Sequence, residues 1–225
     1  MTQRGVRKRS ISSRRWLQRH HRDIYVLKAQ RDAMPSRAAY KLEDIHMRHR
    51  LFTKGCVILD LGAVPGGWSV VALKHGASHV MAVDTRPMAP PMASIDGVMT
   101  MVLDIRERQS MHAIRHRVST WDVKEGRHPF DGVMADLAPH ATGHKATDHM
   151  RQILLARHAL RLALFLVREG GFFLCKLYQG VDEGVFFTRL NRHFHAIKRL
   201  KPKASRSDSL EFYVLAYKKA RRQAR

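Results

Sequence analysis

The segment Cys56-Val57-Ile58-Leu59-Asp60-Leu61-Gly62 constrains the fold more than any other part of this chain. Its apolar residues run without alternation, the pattern of a strand buried on both faces rather than of a half-solvated one. A glycine-rich turn follows, then an apolar helical pattern over residues 68–74 and a second apolar run over residues 79–84. Strand, turn, helix, strand is a βαβ unit, and parallel strands joined in this way need helices on the faces of their sheet. Further strands are predicted over residues 98–104, 131–137, 171–178, 196–201 and 211–217, and helices over 105–117, 148–169 and 183–194. Only a polar loop separates the last two strands, so they are expected to form an antiparallel pair. Ahead of the unit, Ser36 is predicted to cap a helix running to about Arg48, with Ala38, Ala39, Leu42, Ile45 and Met47 at its apolar positions. The fold class is α/β, a mostly parallel sheet with helices on both faces.

Charge narrows the choice of partner. Lys and Arg number 41 against 19 Asp and Glu, a formal charge of 41 − 19 = +22, which points to a polyanion. Residues 1–22 hold eight Lys or Arg and no acid, and the last eight residues hold five and no acid. Between Gly184 and Ser207 there is again no carboxylate, and Arg189, Arg192, Lys198, Arg199, Lys201, Lys203 and Arg206 supply a basic stripe. One such run reads as a solvated surface as readily as a binding face, but three on one chain favour nucleic acid. Arg14, Arg15, Arg19, Arg37, Lys201, Lys203 and Arg206 are the candidate nucleic-acid contacts. The two cysteines, Cys56 and Cys175, lie in apolar runs, which argues against a disulfide framework and for a reduced intracellular setting. The longest apolar stretch, residues 159–167, contains Arg161 and precedes Arg168, so no membrane span is expected. No H-E-x-x-H or Cys/His pairing has zinc-ligand spacing, and no metal is expected.

The turn after the first strand reads Asp60-Leu61-Gly62-Ala63-Val64-Pro65-Gly66-Gly67-Trp68-Ser69. It lies at the carboxyl end of a central strand, where open α/β sheets bind ligands. A lone glycine turn is more often only a turn, and this one has neither G-x-G-x-x-G spacing for a dinucleotide nor the Gly-Lys-Ser/Thr of a phosphate loop. It offers close backbone approach, with Asp84 ending the second strand and Asp104 the third. Those carboxylates suit ribose hydroxyls, an adenine amino group or a cationic ligand.

Together with S-R-A-A-Y-K-L before it, D-L-A-P after it, F-L-C-K-L-Y-Q-G later and K-P-K-A-S-R-S-D-S-L-E-F-Y-V-L-A at the end, this loop resembles the FtsJ/RrmJ ribosomal-RNA ribose 2′-O-methyltransferases over residues 12–217. The resemblance implies a Rossmann-like, seven-stranded S-adenosylmethionine-dependent methyltransferase fold. It implies that Gly62, Pro65, Gly66, Gly67 and Trp68 line the cofactor, that Asp84 meets its ribose and Asp104 its adenine, and that Asp60 holds the loop near the methionine end, with Asp136 close by. It also implies a Lys-Asp-Lys-Glu tetrad, here Lys41, Asp136, Lys176 and Glu211. The chain departs from the pattern at Val64, His140 and Leu210, none of which removes a tetrad member.

Taken singly, Lys41 and Glu211 read as surface charges or a structural pair. Lys176 is harder to dismiss, because it interrupts Phe172-Phe173-Leu174-Cys175, where an unpaired ammonium is costly. A ribose hydroxyl must lose its proton as it attacks a sulfonium methyl, so a base is wanted there. A lysine near its reference pKa of ~10.4 serves only if burial or neighbouring cations depress it. Lys41 and the sulfonium act in that direction, and Asp136 and Glu211 against it. Lys176 is therefore expected to accept the proton, oriented by Asp136, with Lys41 and Glu211 positioning the ribose and its phosphate.

The expected domains are a basic arm and leading helix over 1–35, the methyltransferase domain over 36–217 and a basic tail over 218–225. The expected partner is ribosomal RNA of the large subunit, within a pre-ribosomal particle, bound by a monomeric protein. The rival reading is an assembly factor that binds this RNA without turnover. A nicotinamide oxidoreductase is disfavoured by the glycine spacing. The Arg- and Ser-rich, acid-free start resembles a mitochondrial transit peptide, although R-W-L-Q-R-H-H-R-D also matches the family's own N-terminal segment. The mitochondrial matrix is the expected location, with the bacterial cytoplasm as the alternative.

Overall fold

The computed structural model describes residues 23–121 and 128–218. Arg14, Arg15, Arg19, most of the basic arm and residues 219–225 lie outside the described residues. In chain order the helices are α1 (Ile24–Arg31), α2 (Ala39–His49), α3 (Gly67–Lys74), the short α4 (Pro90–Ala93), α5 (Ser110–Val118), α6 (Lys145–Leu166) and α7 (Glu183–His193). The strands are β1 (Cys56–Leu61), β2 (Ala77–Asp84), β3 (Val98–Val102), β4 (Phe130–Ala135), β5 (Val167–Tyr178), β6 (Phe194–Leu200) and β7 (Glu211–Lys218). They form one sheet in the order β3-β2-β1-β4-β5-β7-β6. The first five are mutually parallel, and β7 runs antiparallel to both β5 and β6.

Every residue of β1 is buried, which is why its sequence does not alternate. One face of the sheet packs against α5, α6 and α7 around Leu59, Leu61, Val133, Phe173 and Leu160. The other packs against α2 and α3 around Leu42, Ile45, Ile58, Val71 and Leu174. The order places β1 and β4 side by side at the centre, so the turns after β1, β2, β3 and β4 open along one edge.

Several boundaries differ from those the sequence suggests. Ser36 does not cap α2: its carbonyl accepts the Ala39 N–H at 3.2 Å, and the helix opens through successive tight turns from Ser36, Arg37 and Ala38. The Ser36 hydroxyl is buried and unpartnered. Helix α5 starts at Ser110 because the Asp104 carboxylate takes the Arg106 N–H at 2.9 Å, a local turn that competes with helix formation. Helix α6 stops at Leu166 rather than running to residue 169, and β5 begins at once, with Gly170 at φ +71°. At Gly171 a Cβ would meet the Asp131 carbonyl oxygen at 2.4 Å, so only glycine allows this approach to β4.

Candidate active site

The register of β5 against β7 assembles most of the polar centre. Lys176 faces Tyr213 and Tyr178 faces Glu211 across the antiparallel pair, so these four residues share one face of the sheet. Helix α2 covers that face and brings Lys41. Asp136 follows the last residue of β4 and meets Lys176 from the neighbouring strand end. The outcome is two ion pairs. Lys176 Nζ lies 3.1 Å from Asp136 Oδ1 and donates to the Asp136 carbonyl at 3.1 Å. Lys41 Nζ lies 2.6 Å from Glu211 Oε1. Tyr213 joins them: its hydroxyl donates to Asp136 Oδ1 at 2.7 Å, and its ring lies 5.8 Å from Lys41 Nζ. From the opposite face, buried Gln152 of α6 donates to the Lys176 carbonyl at 2.7 Å and fixes the strand there.

Burial and charge compete at each group. Burial raises the Asp136 carboxyl, but Lys176, Lys41 and the Tyr213 hydroxyl outweigh it and hold Asp136 below the usual carboxylate range. For Glu211 burial again pushes up, and Lys41 with its hydrogen bond brings the net shift down. Burial lowers the Lys176 ammonium, yet Asp136, Tyr178 and Glu211 more than offset that, and the net shift is upward. Of the opposing influences on Lys176, the carboxylates dominate in the unliganded protein. Tyr213 is pushed well above its ordinary value, first by burial and then by Asp136, so it stays a hydrogen-bond donor.

Beyond the end of β4 the chain turns away from this centre and walls a cleft of about 460 Å³. Gly62, Asp84 and Asp104 line it at the ends of β1, β2 and β3, as expected from their positions. Asp84 Oδ2 accepts the Val64 N–H at 3.0 Å, and Oδ1 accepts the Arg86 N–H at 3.0 Å and the Thr85 hydroxyl at 3.5 Å, so Asp84 clamps the glycine turn and Oδ2 keeps a lone pair. Asp104 is chelated by Arg106, which holds its carboxyl low. The opposite wall includes Leu137, Pro139 and His140 after β4 and Arg151, Leu155 and His158 of α6. Sequence reasoning missed the α6 residues. Their signal was the spacing of 151, 155 and 158 along one helical face.

The rest of the glycine turn stands differently. Gly66 adopts φ +105°, and a Cβ there would meet Met92 Cε at 2.6 Å and Met88 Sδ at 3.4 Å, so these side chains lie over the turn. Pro65 is exposed and Gly67 packs on α2, where a Cβ would meet Ser36 Oγ at 2.9 Å. Neither lines the cleft. Trp68 does not line the cleft either: its ring is buried in the core 5.7 Å from that of Tyr213, and its indole N–H donates to the Ala38 carbonyl at 2.9 Å. In this packing it braces the centre. Asp60 lies off the cleft wall, fully buried. Its Oδ2 accepts from Ser69 at 2.8 Å and its Oδ1 has no partner. Burial, with added repulsion from Asp136 and Asp84, pushes it up to about 7. An orphaned carboxylate oxygen beneath a left-handed glycine turn, beside a cleft with carboxylates at the ends of β2 and β3, fits a ligand carrying a cation and ribose hydroxyls.

The candidate RNA contacts divide. Arg37 and Arg206 both reach the Asp23 carboxylate, which also caps α1 through the Tyr25 N–H at 3.1 Å. Arg37 further donates to the Ala204 carbonyl. Lys201 Nζ donates to the carbonyls of Ser209 and Glu211 at 2.6 and 2.7 Å. Arg37 and Arg206 thus tie the β6–β7 loop to the start of α1, Lys201 closes that loop on itself, and the exposed Lys203 meets α2 through its backbone N–H, on Asp44 at 3.0 Å. Tyr213 was missed because an aromatic residue in a strand reads as core. Its position two residues after Glu211, on the same face, was the available signal.

A seven-stranded sheet of this order, with a binding edge over the ends of its parallel strands, is the fold of a Rossmann-like methyltransferase. Residues 34–219 match the FtsJ-like methyltransferase family, and the chain belongs to it; its cofactor is S-adenosylmethionine. Ribosomal RNA large subunit methyltransferase E of Gluconobacter oxydans is 40% identical over 213 residues, spanning 95% of this chain and 75% of its own. The protein of that name from a Brugia malayi Wolbachia is 40% identical over 207 residues, spanning 92% and 89%. Among solved structures, one described as a ribosomal RNA methyltransferase of Plasmodium falciparum superposes with TM-score 0.70 at 23% identity, over 82% of this chain and 97% of the other.

Proposed function

We propose that this enzyme methylates a ribose 2′-hydroxyl in large-subunit ribosomal RNA, and that it meets that RNA in a pre-ribosomal particle. The observation that carries the reading is the pairing of Lys176 with Asp136 at 3.1 Å, at the very strand end from which the cleft is walled. S-adenosylmethionine, when bound, supplies an electrophilic methyl group on a positively charged sulfur. Gly62, Asp84 and Asp104 are the residues to hold it, with Asp60 buried behind the glycine turn and supporting it from beneath.

The protein's own part is to place a hydroxyl and take its proton. Asp136 and Tyr213 fix the Lys176 side chain, and Lys176 Nζ accepts the proton when it is neutral. Because the carboxylates hold Lys176 charged, the neutral amine is scarce at neutral pH and the rate must climb with pH. Lys41 and Glu211, locked to each other, form the rigid flank against which the ribose is oriented. Orientation of this kind accounts for up to about 7–11 kcal/mol of a barrier. The +22 charge supports a polyanionic substrate, and the relatives named above carry ribosomal RNA in their names. The Arg- and Ser-rich arm supports a mitochondrial matrix address, which a fluorescent fusion tests against the bacterial cytoplasm.

The experiment is site-resolved mapping of 2′-O-methyl groups on large-subunit RNA incubated with protein and S-adenosylmethionine. One new methyl at a single ribose is expected. Methylation confined to bases, or none on RNA or pre-ribosomal particles, overturns the reading.

A further inference from the structure

Away from the cleft, α6 and α7 leave a groove of about 560 Å³ between them. Both helices leave the carboxyl edge of the sheet and run in the same direction, because each follows one strand and leads into another parallel to it. Their facing residues repeat at helical spacing: Met150, Leu154 and Arg157 on α6, Val185, Arg189 and Arg192 on α7. The groove is therefore graded. Near the binding edge it is apolar, with Met150 59%, Leu154 47% and Val185 74% exposed. One to two turns further along it is cationic, with three exposed guanidiniums; Asp182, the one acid on the wall, lies at the opposite end, at the start of α7. Water-exposed thioether and aliphatic side chains on two adjacent helices gain from being covered.

We propose that this groove docks an acidic amphipathic helix of a partner protein. Paired helices with anchors at i, i+4 and i+7 are the mould for such a segment, and the arginines select negative charge beside its apolar stripe. The chain's own ends do not fit: residues 1–22 and the last eight carry only basic charge, which the groove repels. A second copy would set the same three arginines against each other. Single-stranded RNA would use aromatic platforms for its bases, and the groove's one aromatic residue, Phe186, is buried to 2%.

The probe is a labelled synthetic helix of about five turns, with leucines at i, i+3, i+4 and i+7 and glutamates elsewhere, followed by fluorescence anisotropy with the full-length protein. A scrambled peptide of the same composition controls for bulk charge. The structured peptide is expected to bind at least about tenfold more tightly than the scrambled one, and Met150→Glu, Val185→Glu or Arg189→Glu to erase that difference. These side chains are exposed, so the variants should retain wild-type thermal unfolding and S-adenosylmethionine affinity. Equal binding of both peptides, or a preference that survives all three substitutions, overturns the proposal. So does loss of binding to a single-stranded oligonucleotide in these variants without any peptide preference, which makes the groove an RNA surface.

Discussion

Replacing Asp60 by Asn tests the electrostatics of the cofactor side directly. The carboxyl is pushed up to about 7 from an ordinary 3.8 by burial, with Asp136 and Asp84 nearby and Ser69 as its one partner. A folded pKa above the unfolded value means the unfolded chain gives up this proton more readily. Ionised Asp60 therefore costs stability at pH above 7, and the cost fades as pH falls through 7 toward the unfolded value. A carboxyl raised this far costs about 4 kcal/mol when fully ionised. Integrated between about pH 5 and pH 8, wild type loses roughly 2–3 kcal/mol through this group. Asn keeps the bond from Ser69 but places an amide N–H₂ where Oδ1 now lacks a partner, a cost of about 1–3 kcal/mol that does not vary with pH. Urea unfolding of both proteins at the two pH values separates the two effects. The stability of Asp60→Asn relative to wild type should rise by roughly 2–3 kcal/mol from the lower pH to the higher. A difference that stays flat with pH refutes the raised carboxyl.

Three further outcomes follow from the site. Single-turnover methyl transfer should rise about tenfold per pH unit from neutrality to about pH 9, since Lys176 is held charged, and a plateau below that range would show a depressed amine instead. Tyr213→Phe removes a donor to a buried carboxylate and should lower unfolding stability by about 1.5–3 kcal/mol, measured in urea, while a loss under about 0.5 would mean the hydroxyl contributes little. Affinity for ribosomal RNA should fall steeply between about 50 and 200 mM salt in filter binding, and more shallowly once residues 1–11 are removed; indifference to salt contradicts the electrostatic account.

The strands were legible wherever burial on both sides forced unbroken apolar runs, as in β1, and Lys176 stood out because it breaks such a run in β5. All four tetrad positions converge in space because adjacent residues of β5 and β7 are fixed by register, and α2 can lie on only one face. What escaped depends on long-range packing. Tyr213 and Trp68 look alike as aromatic core, yet Tyr213 hydrogen-bonds Asp136 and Trp68 packs against the Tyr213 ring. Ser36 looked like a cap, but α2 opens through backbone turns and its hydroxyl is buried next to Gly67. Arg37 and Arg206 looked free because Asp23, their partner, is distant in sequence. The sign of the Lys176 shift needed the distances, since burial and the carboxylates oppose each other.

The central claim is that Lys176, held by Asp136, takes the ribose proton. Single-turnover methylation of large-subunit RNA by Lys176→Ala, with S-adenosylmethionine affinity measured on the same protein by calorimetry, tests it most directly. The account predicts a rate about 10²- to 10⁴-fold below wild type with cofactor affinity essentially unchanged. A wild-type rate in that variant would contradict it.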